Sequence, residues 1–267
     1  MFDSDAKTYE RMAPHMRRIL IIDPVPAQVR LLTDLLRNIA PCQVWSAPSI
    51  DKGMELAKMV DPQVILADQS PSVDGAKFTK VLRRSELRVR QAPVIIMTAD
   101  ATAGTIIAAR DAGVHEFLRK PFTIKDLVRR LEACTLRGRD WVEAVQYIGP
   151  DRRRFNSGDY SGPLKRRSDN PATPDAARLS QALKILKAGI GAVDSDPAQA
   201  LRAMRAQTDE MMKAGRGMGL PKLCEKAAEL RLRLDAGELR REVLALFLAE
   251  LVSLTPGENG DSVVIAA

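Results

Sequence analysis

The stretch Val64-Ile65-Leu66-Ala67-Asp68 places four consecutive apolar residues directly before a carboxylate. The residues that follow, 69–75, contain serine, proline, aspartate and glycine, which are typical of turns. A short apolar run bounded by turn residues predicts a strand that is buried on both faces, as in a parallel sheet. Because ligands of open α/β sheets bind beyond the carboxyl ends of the strands, Asp68 is expected at a ligand-binding edge.

The same pattern recurs along the first half of the chain, where apolar runs alternate with segments of helical periodicity. In the helix predicted after Gly75, Phe78, Val81 and Leu82 are expected to face inward, and the basic residues Lys80, Arg83 and Arg84 outward. Such alternation predicts an α/β fold with a five-stranded, doubly wound parallel sheet. The predicted strands are 19–22, 44–47, 64–68, 93–98 and 116–120.

Composition limits the environment in which the protein is expected to work. The chain has 267 residues, 45% hydrophobic residues and a net charge of +7, which permits contact with anionic partners without requiring it. Its three cysteines are widely separated and show no metal-ligand spacing, which favours a reducing compartment. The start of the chain lacks the apolar core of a signal peptide, and no apolar run reaches the roughly 18 residues of a membrane helix. We therefore expect a cytoplasmic protein without a membrane segment.

The second half of the chain changes from an α/β pattern to a purely helical one. Residues 138–172 are rich in Arg, Gly, Ser and Pro, which is typical of an extension followed by a linker. Helices are predicted at 174–191, 197–214, 221–235 and 238–253, and their short connections favour an all-α, four-helix bundle. The predicted domains are a lead-in at 1–16, the α/β domain at 17–137, the extension and basic linker at 138–172, the bundle at 173–255 and a tail at 256–267.

Four polar residues stand at predicted strand ends, namely Asp23, Asp68, Thr98 and Lys120. Each alone has an ordinary explanation, because aspartates cap helices and form turns, threonine favours strands and lysine is common in solvated loops. At one edge of a sheet, however, two carboxylates suit a hard cation such as Mg²⁺. One carboxylate can act as a nucleophile, while the hydroxyl and the ammonium hold phosphoryl oxygens.

These residues stand in four motifs, namely Ile19-Leu20-Ile21-Ile22-Asp23, Asp68 with Pro71 and Asp74-Gly75, Thr98-Ala99 and Lys120-Pro121-Phe122. With these motifs, residues 17–136 resemble the receiver domain of two-component response regulators, which has a flavodoxin-like fold. The resemblance implies that Asp68 is the phosphoacceptor, that Thr98 and Lys120 contact the phosphoryl group, and that Phe117 is a rotamer switch. It also implies a cis peptide bond before Pro121, Mg²⁺ held by Asp23 and Asp68, and phosphotransfer from a histidine kinase or histidine phosphotransfer protein. A receiver of this kind is a signalling module and not an enzyme in the usual sense.

One residue departs from the family pattern, which usually has two adjacent acids after the first strand. The second position here is Pro24, whose side chain offers no ligand. The departure predicts weaker Mg²⁺ binding and slower phosphotransfer. Two interpretations follow: Asp68 is phosphorylated inefficiently, or the domain is a pseudo-receiver that acts through binding alone.

The output of the chain is open at this point. The helical region weakly resembles a histidine phosphotransfer domain, but Asp209 stands near the position of the phosphorylatable histidine. This interpretation predicts a module that binds an output protein or a second copy of the chain. The alternatives are a DNA-binding transcriptional regulator, which the lack of a clear recognition helix disfavours, and a cyclic-dinucleotide effector. In the latter, Arg152, Arg153 and Arg154 would bind the anion, because arginine forks match phosphate oxygens, although such charge runs are more often solvated linkers.

Overall fold

The computed structural model describes residues 3–152 and 173–256 of the chain. These residues belong to two compact units. Unit 1 comprises Met1–Val142 and Tyr147–Arg154, and unit 2 comprises Glu143–Gln146 and Phe155–Ala267. Within the described ranges, none of the helices has both the length and the apolar composition required to cross a membrane.

Unit 1 is built on a five-stranded parallel sheet with the strand order β2-β1-β3-β4-β5. This order and the flanking helices confirm the predicted doubly wound, flavodoxin-like fold. The strands are β1 (Arg18–Ile22), β2 (Gln43–Ala47), β3 (Val64–Gln69), β4 (Val94–Thr98) and β5 (Glu116–Arg119). The helices are α1 (Asp3–Met12), α2 (Pro26–Ile39), α3 (Ile50–Val60), α4 (Gly75–Arg84), α5 (Ala103–Asp111) and α6 (Ile124–Thr135).

The sheet is buried on both faces, as the continuous apolar runs predict. On one face, Ile21 and Leu66 pack in a cluster with side chains of α1, α2 and α6. On the other face, Ile65 and Ile96 pack in a cluster with side chains of α3, α4 and α5. The residues of β3 before Asp68 thus have no polar face, and the first polar side chain of the strand lies at its carboxyl end.

The first helix, α1, belongs to unit 1, although the sequence suggested only a lead-in at residues 1–16. Met12 and Met16 are fully buried in the cluster that also contains Leu131 of α6. Flexible methionine side chains fill irregular gaps in a core. The segment therefore contributes to the hydrophobic core of this unit.

Two predictions for α4 are wrong, namely that Arg83 faces solvent and that Val81 faces inward, since Val81 is 44% exposed. Arg83 is only 1% exposed, and its Nε donates to the backbone carbonyl of Gly113 at 3.0 Å. Helical periodicity identifies the apolar face, but it cannot show that a buried backbone carbonyl lies within reach of a long cationic side chain. Arg83 therefore lies in the interior of unit 1 at the last turn of α4.

A hairpin follows α6, where the sequence suggested only an extension. Strands β6 (Trp141–Glu143) and β7 (Ile148–Pro150) form a two-stranded sheet. Three-residue strands are too short to show a two-residue periodicity, so the sequence pattern could not reveal them. A side chain at Gly149 would meet the Cα of Gly113 at 2.7 Å, so this glycine permits a close backbone approach.

Unit 2 contains helices α7 (Pro174–Gly191), α8 (Pro197–Gly217), α9 (Pro221–Asp235) and α10 (Arg241–Ser253) within the described residues. The side chains of Thr173 and Asp196 accept hydrogen bonds from the backbone at the starts of α7 and α8, as their positions before proline predict. The four-helix count for the complete domain stays a prediction. Helix α8 continues past the predicted end at residue 214, and the left-handed Gly219, at φ +68°, follows it.

Candidate functional site

Three of the four predicted site residues are buried at the carboxyl edge of the parallel sheet. Asp23 follows β1, Asp68 lies near the end of β3 and Thr98 ends β4; they are 3%, 5% and 1% exposed. Lys120 follows β5 at the same edge, and its backbone N–H donates to the carbonyl of Thr98 at 2.7 Å. The parallel arrangement of the strands therefore brings together the ends that the sequence places far apart.

Lys120 joins the two carboxylates. Its Nζ donates to Oδ1 of Asp68 at 2.7 Å and lies 3.3 Å from Oδ2 of Asp23. Burying a carboxylate is costly unless an opposite charge or hydrogen-bond donors compensate it. One ammonium between two ionised carboxylates leaves a net charge of −1, which still attracts a cation.

The turn after β1 orients Asp23. Oδ1 of Asp23 accepts a hydrogen bond from the backbone N–H of Val25 at 2.8 Å, across Pro24. Pro24 cannot donate from its backbone nitrogen and has no polar side-chain atom. The position that usually carries a second acid in receivers therefore contributes no ligand to this edge.

The turn after Asp68 is held by short-range polar contacts. Asp74 caps α4 by accepting from the backbone N–H of Lys77 at 2.9 Å, and Oε1 of Gln69 accepts from the N–H of Ala76 at 3.0 Å. A side chain at Gly75 would lie 2.6 Å from the carbonyl oxygen of Asp68. The glycine in the Asp74-Gly75 motif is thus required by the close approach of α4 to the end of β3.

Thr98 ends β4 and Phe117 lies in β5, but neither contacts Asp68 through a described hydrogen bond. The hydroxyl of Thr98 donates to the carbonyl oxygen of Gln69 at 3.0 Å, one residue beyond Asp68. Phe117 is half-buried and packs against the apolar cluster on the α4 and α5 side of the sheet. The peptide bond between Lys120 and Pro121 is cis, as predicted.

Gln28 was not among the predicted site residues. It lies in the first turn of α2, and its Oε1 accepts a hydrogen bond from Nζ of Lys120. Sequence patterns could not identify this contact, because Gln28 and Lys120 are 92 residues apart in the chain. The structure therefore adds a third oxygen to those of Asp23 and Asp68 around the ammonium.

The oxygens at this edge suit a hard cation. Across residues 3–152 and 173–256, no group of three or more His, Cys, Asp or Glu side chains has the arrangement of a metal site. Asp23, Asp68 and the amide oxygen of Gln28 nevertheless converge on one positive charge, Lys120. An oxygen-only set with two carboxylates matches the preference of Mg²⁺, and two carboxylates with substrate oxygens are a common arrangement for this ion.

The arginines suggested as an anion site are only partly described. The guanidinium of Arg152 lies over the ring of Tyr147, 3.5 Å from its centroid, and forms an ion pair with Asp111 at 2.9 Å. Arg153 and Arg154 lie outside the described residues. Arg152 is thus engaged within unit 1, and anion binding by this stretch stays a prediction.

In unit 2, the position considered for a phosphorylatable histidine is Asp209. Its Oδ2 accepts from Nη1 of Arg231, which also bonds Asp235 through Nε at 3.1 Å. These contacts form an ordinary ion-pair network between α8 and α9. The likeness to a histidine phosphotransfer domain stays a hypothesis, supported by the helical pattern alone.

Comparison with known proteins supports the assignment of the α/β domain. Residues 19–132 match the family described as response regulator receiver domain. The chain is 35% identical over 123 residues to the DNA-binding dual master transcriptional regulator RpaA of Synechocystis, covering 46% of this chain and 50% of that protein. It is 28% identical over 117 residues to a probable chemotaxis protein CheY of Rhizobium etli, covering 43% of this chain and 90% of that protein. The chain thus spans about half the length of the first of these relatives.

Among solved structures, the receiver domain of the sensor histidine kinase PA1611 from Pseudomonas aeruginosa, with a magnesium ion in its active-site cleft, is 26% identical. The alignment covers 45% of this chain and 98% of that one, with a TM-score of 0.41. A CheY4 structure from Vibrio cholerae is 20% identical, covers 45% and 98% of the two chains and has a TM-score of 0.42.

Proposed function

We propose that this chain, whose residues 19–132 form a response regulator receiver domain, is a two-component response regulator that accepts a phosphoryl group on Asp68. The observation that carries the proposal is the position of Lys120, whose ammonium contacts both Asp68 and Asp23 at the carboxyl edge of the sheet. An ammonium in direct contact with a buried carboxylate can neutralise the charge of a phosphoryl group transferred to that carboxylate.

In the proposed reaction, an oxygen of Asp68 attacks the phosphorus of a phosphodonor. A new O–P bond forms as the bond between phosphorus and the leaving group breaks, and the leaving group keeps the electron pair. Most of the catalysis in such a transfer comes from positioning and charge neutralisation. Lys120 supplies both, because its contact with Oδ1 of Asp68 fixes the carboxylate and places a positive charge next to the incoming phosphoryl oxygens.

Asp23 and Asp68 would hold the Mg²⁺ that receivers use. When bound, this ion supplies additional neutralisation of the phosphoryl oxygens. Because Pro24 removes one carboxylate from the usual set, we expect weaker Mg²⁺ binding and slower phosphorylation than in a receiver with two adjacent acids.

Transmission of the signal would use Thr98 and Phe117. After phosphorylation, the hydroxyl of Thr98 would exchange its bond to the carbonyl of Gln69 for a phosphoryl oxygen. Phe117 packs only partly into the core, so its ring has room to change rotamer when Thr98 moves. We propose that the chain works in the cytoplasm, with a histidine kinase or histidine phosphotransfer protein as donor and protein–protein contacts of the receiver and helical domain as output.

The direct test uses the full chain, acetyl phosphate and Mg²⁺, with intact-mass measurement of the protein. Wild type should gain one phosphoryl group, Asp68→Asn should gain none, and Asp34→Asn, an exposed aspartate of α2, should behave as wild type. Equal labelling of the Asp68→Asn variant would contradict the assignment of the phosphoacceptor.

A second candidate is a pseudo-receiver that works without phosphorylation, and Pro24 is the observation that favours it. Absence of labelling in wild type, with acetyl phosphate and with a phosphorylated histidine kinase, would support this candidate. The domain would then act through binding alone, and Asp68→Asn would leave partner capture unchanged.

A further inference from the structure

Gln28 lies at the phosphoacceptor edge for a local reason. Helix α2 starts at Pro26, and the N–H of Gln28 donates to the carbonyl of Val25 at 3.0 Å. This first turn places the half-buried Gln28 side chain next to Nζ of Lys120. A lysine ammonium has three N–H donors and no acceptor.

Each of the three ammonium protons of Lys120 therefore has one oxygen acceptor. The acceptors are Oδ1 of Asp68, Oδ2 of Asp23 and Oε1 of Gln28. The first two are charged and the third is neutral. This set is complete without any side chain at position 24, where receivers usually have their second acid.

We propose that Gln28 is a positioning residue that holds the ammonium of Lys120 beside the Asp68 carboxylate. This role rests on the proposed phosphorylation of Asp68. Once an oxygen of Asp68 is bonded to phosphorus, the carboxylate loses its charge and attracts Lys120 less strongly. The contacts to Asp23 and Gln28 then keep Nζ next to the phosphoryl oxygens.

The neutrality of Gln28 also affects the charge of the cleft. With Asp23, Asp68 and Lys120 ionised, the net charge is −1, whereas a third carboxylate would make it −2. An amide oxygen thus fixes the lysine without adding repulsion against the incoming phosphodonor.

The test compares Gln28→Met, which keeps the length but removes the acceptor, with Gln28→Glu, which keeps an oxygen. The matched control is Gln43→Met, a glutamine exposed at the start of β2. Hydrogen bonds to a charged group are worth enough to expect roughly tenfold slower labelling of Asp68 by acetyl phosphate in Gln28→Met. Labelling in Gln43→Met should equal that of wild type.

A second readout is independent of phosphorylation. In the unphosphorylated protein, ¹⁵N NMR reports the hydrogen exchange of the Lys120 ammonium protons. We expect faster exchange in Gln28→Met and wild-type exchange in Gln28→Glu and Gln43→Met, with unchanged unfolding midpoints in urea.

The two readouts separate the proposals. Labelling and exchange in Gln28→Met that both equal those of wild type would overturn the positioning role. If wild type is not labelled at all, the phosphoacceptor function fails. Unchanged exchange in Gln28→Met would then overturn the contact with Lys120 as well, whereas faster exchange would support it.

Discussion

Two cations of unit 1, the buried Arg83 and the half-buried Lys120, lie near opposite ends of the same sheet and are compensated in different ways. Lys120, at the carboxyl edge, is held by two carboxylates and an amide oxygen. Arg83 lies near the residues that precede β4 and β5 and donates to the backbone carbonyls of Gly113 and Ala92, each at 3.0 Å, and to that of Arg90. Side-chain acceptors can exchange for a phosphoryl group, whereas backbone acceptors within the fold cannot move without disrupting it.

The environment of Arg83 is that of a structural residue. Its guanidinium lies 5.3 Å from the ring centroid of Trp141, and its Nη2 contacts Nδ1 of His115 at 3.2 Å. Burial lowers the pKa of Arg83 to about 9, so the side chain stays charged at neutral pH. A buried cation satisfied by dipoles stabilises one arrangement of the chain, while the Lys120 site keeps a net negative charge and is suited to bind ligands.

The largest effect is expected for Arg83→Met. Removal of the guanidinium leaves the carbonyls of Gly113 and Ala92 buried without their donor, and each such loss is costly. We expect a loss of roughly 3–5 kcal/mol in the free energy of unfolding. Urea denaturation followed by circular dichroism measures this value. Lys80→Met, on the exposed side of the same helix, should change it by less than about 0.5 kcal/mol, and equal effects of the two variants would contradict a structural role for Arg83.

The next effect is a pH dependence that comes from His115. Nδ1 of His115 faces two donors, Nη2 of Arg83 and the N–H of Val94 at 3.4 Å, so it acts as an acceptor in a neutral ring. Burial, Arg83 and Arg139 lower the pKa of His115 well below its usual value of about 6.5.

Because the unfolded chain binds this proton more readily than the folded one, the stability from the neutral ring is complete above about pH 6.5 and decreases as the pH falls. His115 alone should make the free energy of unfolding fall by up to about 1.4 kcal/mol for each pH unit below this range. Urea unfolding at pH 7.5, 6.5 and 5.5 tests it against His115→Gln, whose amide oxygen still accepts from Arg83. If the free energy of unfolding of wild type and of His115→Gln changed equally with pH, His115 would not be the source of the pH dependence.

The smallest effect, of opposite sign, is expected at the phosphoacceptor edge. Asp68→Asn removes one of two carboxylates that share the ammonium of Lys120. Charged groups that are kept for function often lower the stability of the folded protein. We expect a gain of about 0.5–1 kcal/mol in the free energy of unfolding without added Mg²⁺. Asp34→Asn should leave the value unchanged. A clear loss of stability in Asp68→Asn would mean that Asp68 stabilises the fold, as Arg83 is expected to do.

Prediction from sequence succeeded where local patterns decide the structure. The apolar runs before Asp23, Asp68 and Thr98 predicted strands of the sheet, and proline after Thr173 and Asp196 predicted the starts of α7 and α8. In each case, the residues that decide the element are adjacent or one turn apart. The prediction of the cis bond before Pro121 came from the resemblance to receivers, and the structure has it.

Prediction failed where a polar residue has a distant partner. Arg83 was expected in solvent because its charge fits the outer face of a helix, and only the fold brings the carbonyl of Gly113 to it. No sequence motif marks Gln28. It belongs to the site only because the fold places Lys120, which follows β5, beside α2. Met12 and Met16 show the same effect in the core, since their burial depends on α6.

The missing acid at Pro24 was recognised only through the resemblance to receivers. Residue order alone was sufficient for the five parallel strands and for the placement of Asp68 at the end of the third. These depend on backbone periodicity and on which side chains carry oxygens. Tertiary structure decided that Lys120 joins Asp68 to Asp23, that Gln28 completes its acceptors, and that Arg83 is structural. The reason is that a buried charge is stabilised by whichever dipoles and charges surround it in space, and sequence distance does not limit that neighbourhood.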